Sequence, residues 1–296
     1  MMVRAPPDER SVDDLLAFGV VNLDKPPGPS AHQVAAWVRD ATGQDRVAHG
    51  GTLDPKVTGC LPVLLGDAAR AARIFDDAIK EYVAVLELHD SAPPDFDAVV
   101  ADFEGEIYQK PPRKSAVKRQ LRTRRIHDLD VLERGDRRAL LRVRCASGTY
   151  IRKLCHDIGL ALGTGAHMGD LRRTATGQFD DRSLVSMHDL VDALSFAEDG
   201  DESALRESVR PAEHALAHLP RLVVAHSAAE AIADGAPVYA PGVLAARAAE
   251  VGGAVPTAGE LVVCVTPDGA AVSLGTLVGD PEAESGTVAE PERVLV

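Results

Sequence analysis

His49-Gly50-Gly51-Thr52-Leu53-Asp54-Pro55-Lys56-Val57-Thr58-Gly59 reads as a loop with special backbone angles, because its glycines and proline suit neither a helix nor a strand. A single carboxylate, Asp54, stands between the apolar Leu53 and the rigid Pro55. The next run, Cys60-Leu61-Pro62-Val63-Leu64-Leu65-Gly66, is apolar enough to be buried. Together these residues describe a short acidic side chain on a stiff ledge anchored in a core. Taken alone, the same pattern also suits a turn whose aspartate caps its own backbone.

At 296 residues the chain has room for a catalytic body and a smaller module, and an apolar content of 45% supports a substantial core. Cys60, Cys145, Cys155 and Cys264 form no C-x-x-C pair and no zinc spacing, which points to reduced thiols in a cytoplasmic protein. Met1 to Asp14 is polar and lacks the apolar segment of a signal peptide. No apolar run approaches the roughly 20 residues of a membrane span, so no membrane partner is expected.

A net charge of −13 argues superficially against a polyanionic partner. Its distribution argues the other way. From Lys110 to Arg173 there are 17 Lys/Arg against 6 Asp/Glu, whereas from Ala197 onward there are 5 Lys/Arg against 16 Asp/Glu. A basic stretch kept within an acidic chain is the footprint of a polyanion site. Only 7 of the 32 basic residues are lysine, and an acidic, lysine-poor surface suggests adaptation to high salt.

Along the chain, Phe18 to Leu23 reads as a strand. Ser30 caps a helix with Val34, Trp37 and Val38 on one face, ending near Gly43. Asp67 is expected to cap a helix through Ile74 and Phe75. Tyr82 to Leu88 reads as a largely buried strand, and Pro93 to Phe103 as a short helix. Gly105 to Arg119 carries Pro111 and Pro112 and reads as an extended or looped basic segment. Leu121–Leu132 and Ala139–Cys145 read as strands meeting at Arg134-Gly135-Asp136. Thr149 starts a helix with Ile151, Leu154, Cys155 and Ile158 as its buried stripe, leaving Arg152 and Lys153 off that stripe. A strand opens at Leu171, a helix covers Ser186 to Leu194, and Ala197 to Glu202 reads as a charged linker. From Leu219, short Val/Leu runs punctuated by glycine and proline read as a small β-barrel, with one helix over Ala228 to Asp234.

Five of these segments, in this order, resemble the TruB/dyskerin family of pseudouridine synthases. They are Gly19-Val20-Val21-Asn22-Leu23-Asp24-Lys25-Pro26, the loop His49 to Gly59, Lys80-Glu81-Tyr82-Val83, Gly148-Thr149-Tyr150-Ile151-Arg152, and Gly165-Ala166-His167-Met168 with Leu171-Arg172-Arg173. The tail, with Ala231-Ile232-Ala233-Asp234-Gly235-Ala236-Pro237, resembles the PUA module of archaeal members. The stretch Pro111-Pro112 with Lys114-Ser115-Ala116-Val117-Lys118-Arg119 resembles the archaeal, guide-RNA-associated branch.

The resemblance implies an α+β protein: a mixed-sheet pseudouridine synthase catalytic domain over residues 1–215, then a small β-barrel PUA domain over 216–296. It implies isomerisation of a uridine flipped out of RNA. Asp54 would be the nucleophile, attacking either ribose or uracil. Tyr82 would stack on the base near the departing proton, although the same residue would suit a packed strand. Arg152 would pair with Asp54 and favour its ionised form in a desolvated pocket. Leu171 would line the uracil pocket, with Lys25, His49 and Tyr150 around it. Lys110, Arg113, Lys114, Lys118 and Arg119 would follow RNA phosphates, and Gly235 would belong to the RNA-binding PUA surface. No metal and no cofactor are expected. The implied partners are tRNA, H/ACA guide RNA with its rRNA target, and small ribonucleoprotein partner proteins. The rival reading is a non-catalytic RNA-binding scaffold of a guide ribonucleoprotein.

Overall fold

The computed structural model describes residues 3–111, 118–251, 253 and 255–296. Ten strands make the first sheet: β1 (Gly19–Lys25), β2 (Val47–His49), β3 (Thr58–Leu65), β4 (Lys80–Leu88), β5 (Gly105–Gln109), β6 (Arg122–Arg134), β7 (Arg138–Cys145), β8 (Ala166–Thr176), β9 (Phe179–Asp180) and β10 (Arg210–Pro211). Their order is β10-β1-β3-β8-β4-β7-β6-β5, with β2 on β3 and β9 on β8. The β3/β8 pair is parallel and the other neighbours are antiparallel, so the sheet is mixed.

The helices cover this sheet because their apolar spacing gives each a single buried stripe. Helix Ala31–Thr42 opens with a Ser30/Gln33 capping box and closes at Gly43. Its buried face is Ala31, Val34, Ala35, Val38 and Thr42. Trp37 was expected on that face but is 47% exposed, because it lies about 60° round the helix from Val34 and about 100° from Val38. Helix Ile151–Ala161 buries Ile151, Leu154, Cys155 and Ile158, as their spacing predicts. Ile151, Leu154 and Ile158 each contribute about 1.5–3 kcal/mol on burial, so packing fixes where this helix sits.

Other expectations are corrected. Asp67 does not cap a helix: Gly66–Phe75 is a 3-10 run, and Asp67 instead forms ion pairs with Arg4, Arg46 and Arg70. Part of the segment expected to loop is a strand, since β5 pairs with β6 from Gly105↔Ile126 to Gln109↔Arg122, ahead of the prolines. The β4 strand is half-buried at Glu81, Tyr82 and Val83 and alternates buried and half-buried positions only from Ala84 onward, rather than being largely buried. The charged stretch after Ala197 joins two helices, Met187–Glu198 and Ser203–Ser208.

A second, mixed sheet follows: β11 (Arg221–Val224), β12 (Val238–Tyr239), β13 (Val243–Arg247), β14 (Leu261–Val265), β15 (Ala271–Leu277) and β16 (Thr287–Val294), with helix His226–Ala233 packed on it. The two sheets share a core. Val20 and Leu64 of the first, with Phe18 just ahead of β1, belong to one buried cluster with Val223, Val263 and Leu274 of the second.

Candidate active site

The loop that carries Asp54 leaves β2 at His49 and returns at Gly59, one strand from β8 and two from β4. Leu53 and Val57 are buried and hold it from below. Its path demands glycine at two points. Gly59 has φ +97°, and a Cβ there would lie 2.2 Å from the Arg173 carbonyl oxygen. At Gly50 a Cβ would meet the Phe75 ring at 2.9 Å. Asp54, between the two anchors, projects outward.

Arg152 reaches it from the first turn of helix Ile151–Ala161, and its guanidinium forms an ion pair with the Asp54 carboxylate. Both side chains are 57% exposed. The dry pocket expected around Asp54 is therefore not made by the protein alone, because the loop has a floor and no roof. An ion pair this exposed is worth about 1 kcal/mol or less, so it does not hold its own geometry. The packing of the loop and the helix does.

That floor is cationic. Lys25 is wholly buried, and its ammonium donates to the carbonyls of Pro26 at 2.9 Å, Pro55 at 3.0 Å and Val57 at 2.7 Å. Every proton is committed to backbone. Lys25 thus holds the loop from beneath. Burial draws its pKa down, Arg173 acts in the same sense, and Asp54 opposes them. Arg173, 1% exposed, donates to the carbonyls of Cys60 at 2.7 Å and Gly51 at 3.2 Å. Lys80, 6% exposed, donates to the Phe75 carbonyl at 2.6 Å and to Ser147 Oγ at 3.0 Å. Sequence reasoning quoted Arg173 and Lys80 in its motifs but gave neither a role. The available signal was periodicity: Lys80 is two residues before Tyr82, on the same face of a strand.

Tyr82 is half-buried and lies beside Arg173 in the β4/β8 register. Burial pushes its hydroxyl pKa up, and Arg173 draws it back. Leu171 is buried two residues before Arg173, paired with Ala84. His49 is half-buried and edge-on to His32 at 4.7 Å between ring centroids. Burial lowers its pKa, with His32 and Arg173 adding to the effect. The same two histidines line a cavity of about 340 Å³ with Arg39 and Val47. Tyr150, at the start of the Arg152 helix, is gripped at its backbone by Gln109, which donates to the Tyr150 carbonyl at 3.1 Å and accepts its N–H at 2.9 Å. Arg122 lies over the Tyr150 ring at 5.2 Å.

Of the expected RNA-binding residues, Lys110, Lys118 and Arg119 are exposed, and Arg119 donates to the Pro111 carbonyl at 3.2 Å. Arg113 and Lys114 lie outside the described residues. Gly235 is not part of this cluster: it follows helix His226–Ala233 in the second unit, with φ +94°. Among the described residues no group of three or more His, Cys, Asp or Glu side chains could hold a metal ion. No helix among them is long and apolar enough to cross a membrane.

Known proteins resemble this chain in sequence and fold. Models of the TruB family pseudouridylate synthase N-terminal domain match residues 39–95 and 89–151, and the tRNA pseudouridylate synthase B C-terminal domain matches 152–217. A DKCLD domain matches residues 4–35 and a PUA domain residues 220–283. A probable tRNA pseudouridine synthase B of Haloarcula marismortui is 76% identical over 296 residues, covering 100% of this chain and 94% of that protein. The chain belongs to the TruB family of pseudouridine synthases.

Another TruB-family relative, from Halobacterium salinarum and likewise named probable tRNA pseudouridine synthase B, is 60% identical with both chains covered at 100%. Among solved structures, a Cbf5-Nop10-Gar1 complex matches with a TM-score of 0.91 at 43% identity, covering 99% of this chain and 90% of that one. An H/ACA ribonucleoprotein bound to a substrate RNA containing 2'-deoxyuridine matches at 0.90 and 41%, covering 99% and 90%. As a TruB-family enzyme, the chain is an RNA pseudouridine synthase, an isomerase, with a PUA domain.

Proposed function

We propose that this enzyme isomerises the T-loop uridine of tRNA and, with an H/ACA guide RNA and small partner proteins, uridines of rRNA. The names of the Haloarcula and Halobacterium relatives support the first substrate. The solved complexes support the second. The observation that carries the chemical reading is the meeting of Asp54 and Arg152, 98 residues apart in the chain, above a floor of buried cations.

In this reading Asp54 is the nucleophile and Arg152 is its ion-pair partner, with loop and helix packing keeping the two in place. Tyr82 stacks on the flipped base. Burial favours its neutral phenol, which suits stacking, while Arg173 is the group that would favour the anion during proton removal. The incoming nucleotide supplies the missing roof, so the Asp54–Arg152 pair is desolvated only when substrate is in place. Leu171, His49 and Tyr150 border the base. Lys110, Arg113, Lys114, Lys118 and Arg119 follow phosphates, and Gly235 marks the RNA face of a second unit over residues 216–296, after a catalytic unit over 1–215. The reaction needs no cofactor. The enzyme works in the cytoplasm of a salt-adapted organism, a setting supported by its acidic, lysine-poor composition.

The test is Asp54→Asn in the full chain, assayed on an unmodified tRNA transcript. The variant is expected to bind the RNA within a few fold of wild type and to form no pseudouridine. Retained turnover would overturn the assignment.

A further inference from the structure

The Asp54–Arg152 pair stands in water, so the register of its two members depends on the parts of the fold behind them. One buried side chain touches both parts. Lys80 donates to the carbonyl of Phe75, whose ring packs under Gly50 of the catalytic loop. It also donates to Ser147 Oγ, in the turn just ahead of the Arg152 helix. Its stem runs beneath the loop, with Cε 3.8 Å from where a Cβ on Gly51 would stand.

Among the described residues no carboxylate lies within ion-pair distance of this ammonium. A buried cation without a counter-ion is costly, and a neutral side chain of the same length would fill the space. Costly charges kept beside a reaction centre mark working groups.

We propose that Lys80 is a positioning residue for pseudouridine formation: its ammonium staples the turn that launches the Arg152 helix to the segment under the Asp54 loop, keeping guanidinium and carboxylate in register. This rests on the reading of Asp54 and Arg152 as the reacting pair.

The groups around Lys80 set its titration. Burial draws its pKa down to about 8, and Arg173 of β8 acts in the same direction. Asp76 and Asp77, from the turn after Phe75, and Cys145 of β7 oppose them. Deprotonation leaves a neutral amine whose hydrogen bonds are roughly half as strong as charge-assisted ones. Rate should therefore fall as pH rises through about 8. Stability should move the opposite way. Between pH about 8 and 10.5 the unfolded chain still holds the proton that the folded chain has released, so stability rises with pH across that window.

The experiment compares the full-length wild type with Lys80→Met, Ser147→Ala and Asp54→Asn on an unmodified tRNA transcript. At pH 7, kcat/KM of Lys80→Met is expected to fall about 100-fold, the cost of a misplacement of about 1 Å. Its RNA Kd should stay within about threefold, because the lost interaction acts in the transition state. Its kcat/KM should lack the alkaline fall, a readout of the free enzyme, and its unfolding free energy should lack the rise. Ser147→Ala removes one acceptor of the ammonium and should shift the alkaline fall to lower pH, a readout independent of how Lys80→Met folds. Activity of Lys80→Met near wild type, an alkaline fall retained in that variant, or an unmoved fall in Ser147→Ala would each overturn the proposal. An inactive Asp54→Asn beside an active Lys80→Met would overturn the role of Lys80 alone, whereas an active Asp54→Asn would overturn the reading of the reacting pair.

Discussion

Two arginine–carboxylate pairs in this protein use the same groups in opposite surroundings. Arg10 and Glu213 meet through two hydrogen bonds of 2.8 and 2.7 Å, with side chains 1% and 10% exposed. Glu213 also accepts the Ala271 amide at 2.9 Å. That pair ties the N-terminal segment to the region between the two sheets and to β15, and nothing is left free to react. Arg152 and Asp54 are both more than half exposed, and the carboxylate has oxygen to spare for a substrate. Burial with full satisfaction makes an ion pair a fastener. Exposure on a rigid base leaves it available for chemistry.

The comparison breaks most directly at Glu213. Replacing it with glutamine leaves Arg10 buried and uncompensated, and should cost about 3–5 kcal/mol of stability in denaturant unfolding. The folded fraction should keep its kcat. A loss below about 1 kcal/mol would mean that the buried pair is no fastener. Arg152→Lys probes the other side. It keeps the charge but loses the planar fork, so stability should hold within about 0.5 kcal/mol while single-turnover rate falls about 100-fold. Equal losses in rate and stability would erase the contrast.

Smallest is the effect at Glu292. The Thr276 hydroxyl and then the Arg73 guanidinium hold its carboxyl below its ordinary 4.5. A depressed carboxyl contributes stability that is complete above pH about 4.5 and disappears as pH falls through the folded value. Glu292→Gln should therefore flatten the acid limb of the stability profile by less than about 1 kcal/mol and leave activity unchanged. An acid limb identical to wild type would remove Glu292 from the contacts that hold the second sheet to the body.

Much of this was legible in the sequence where local rules act alone. The Ser30 cap, the Ile151/Leu154/Cys155/Ile158 stripe and the glycine-lined loop each follow from spacing and backbone freedom. Trp37 was misplaced because three apolar residues near one another do not say which line of the helix meets the sheet. Asp67 was misread because its guanidinium partners include Arg4 and Arg46, from distant parts of the chain. Lys25 was expected only near the pocket, and only the folded loop brings three carbonyls around its ammonium. The exposure of Asp54 follows from how far the loop rises above its floor.

By itself the sequence determined which residue types could do the chemistry, the order of the segments that carry them, and the family to which they belong. The tertiary structure alone decided that Asp54 and Arg152 meet in the open and that Arg173, Lys80 and Lys25 lie unseen beneath them. Local spacing settles a residue's place on its own helix or strand. Partners from distant segments, and the dielectric around them, exist only once the sheet has brought those segments together.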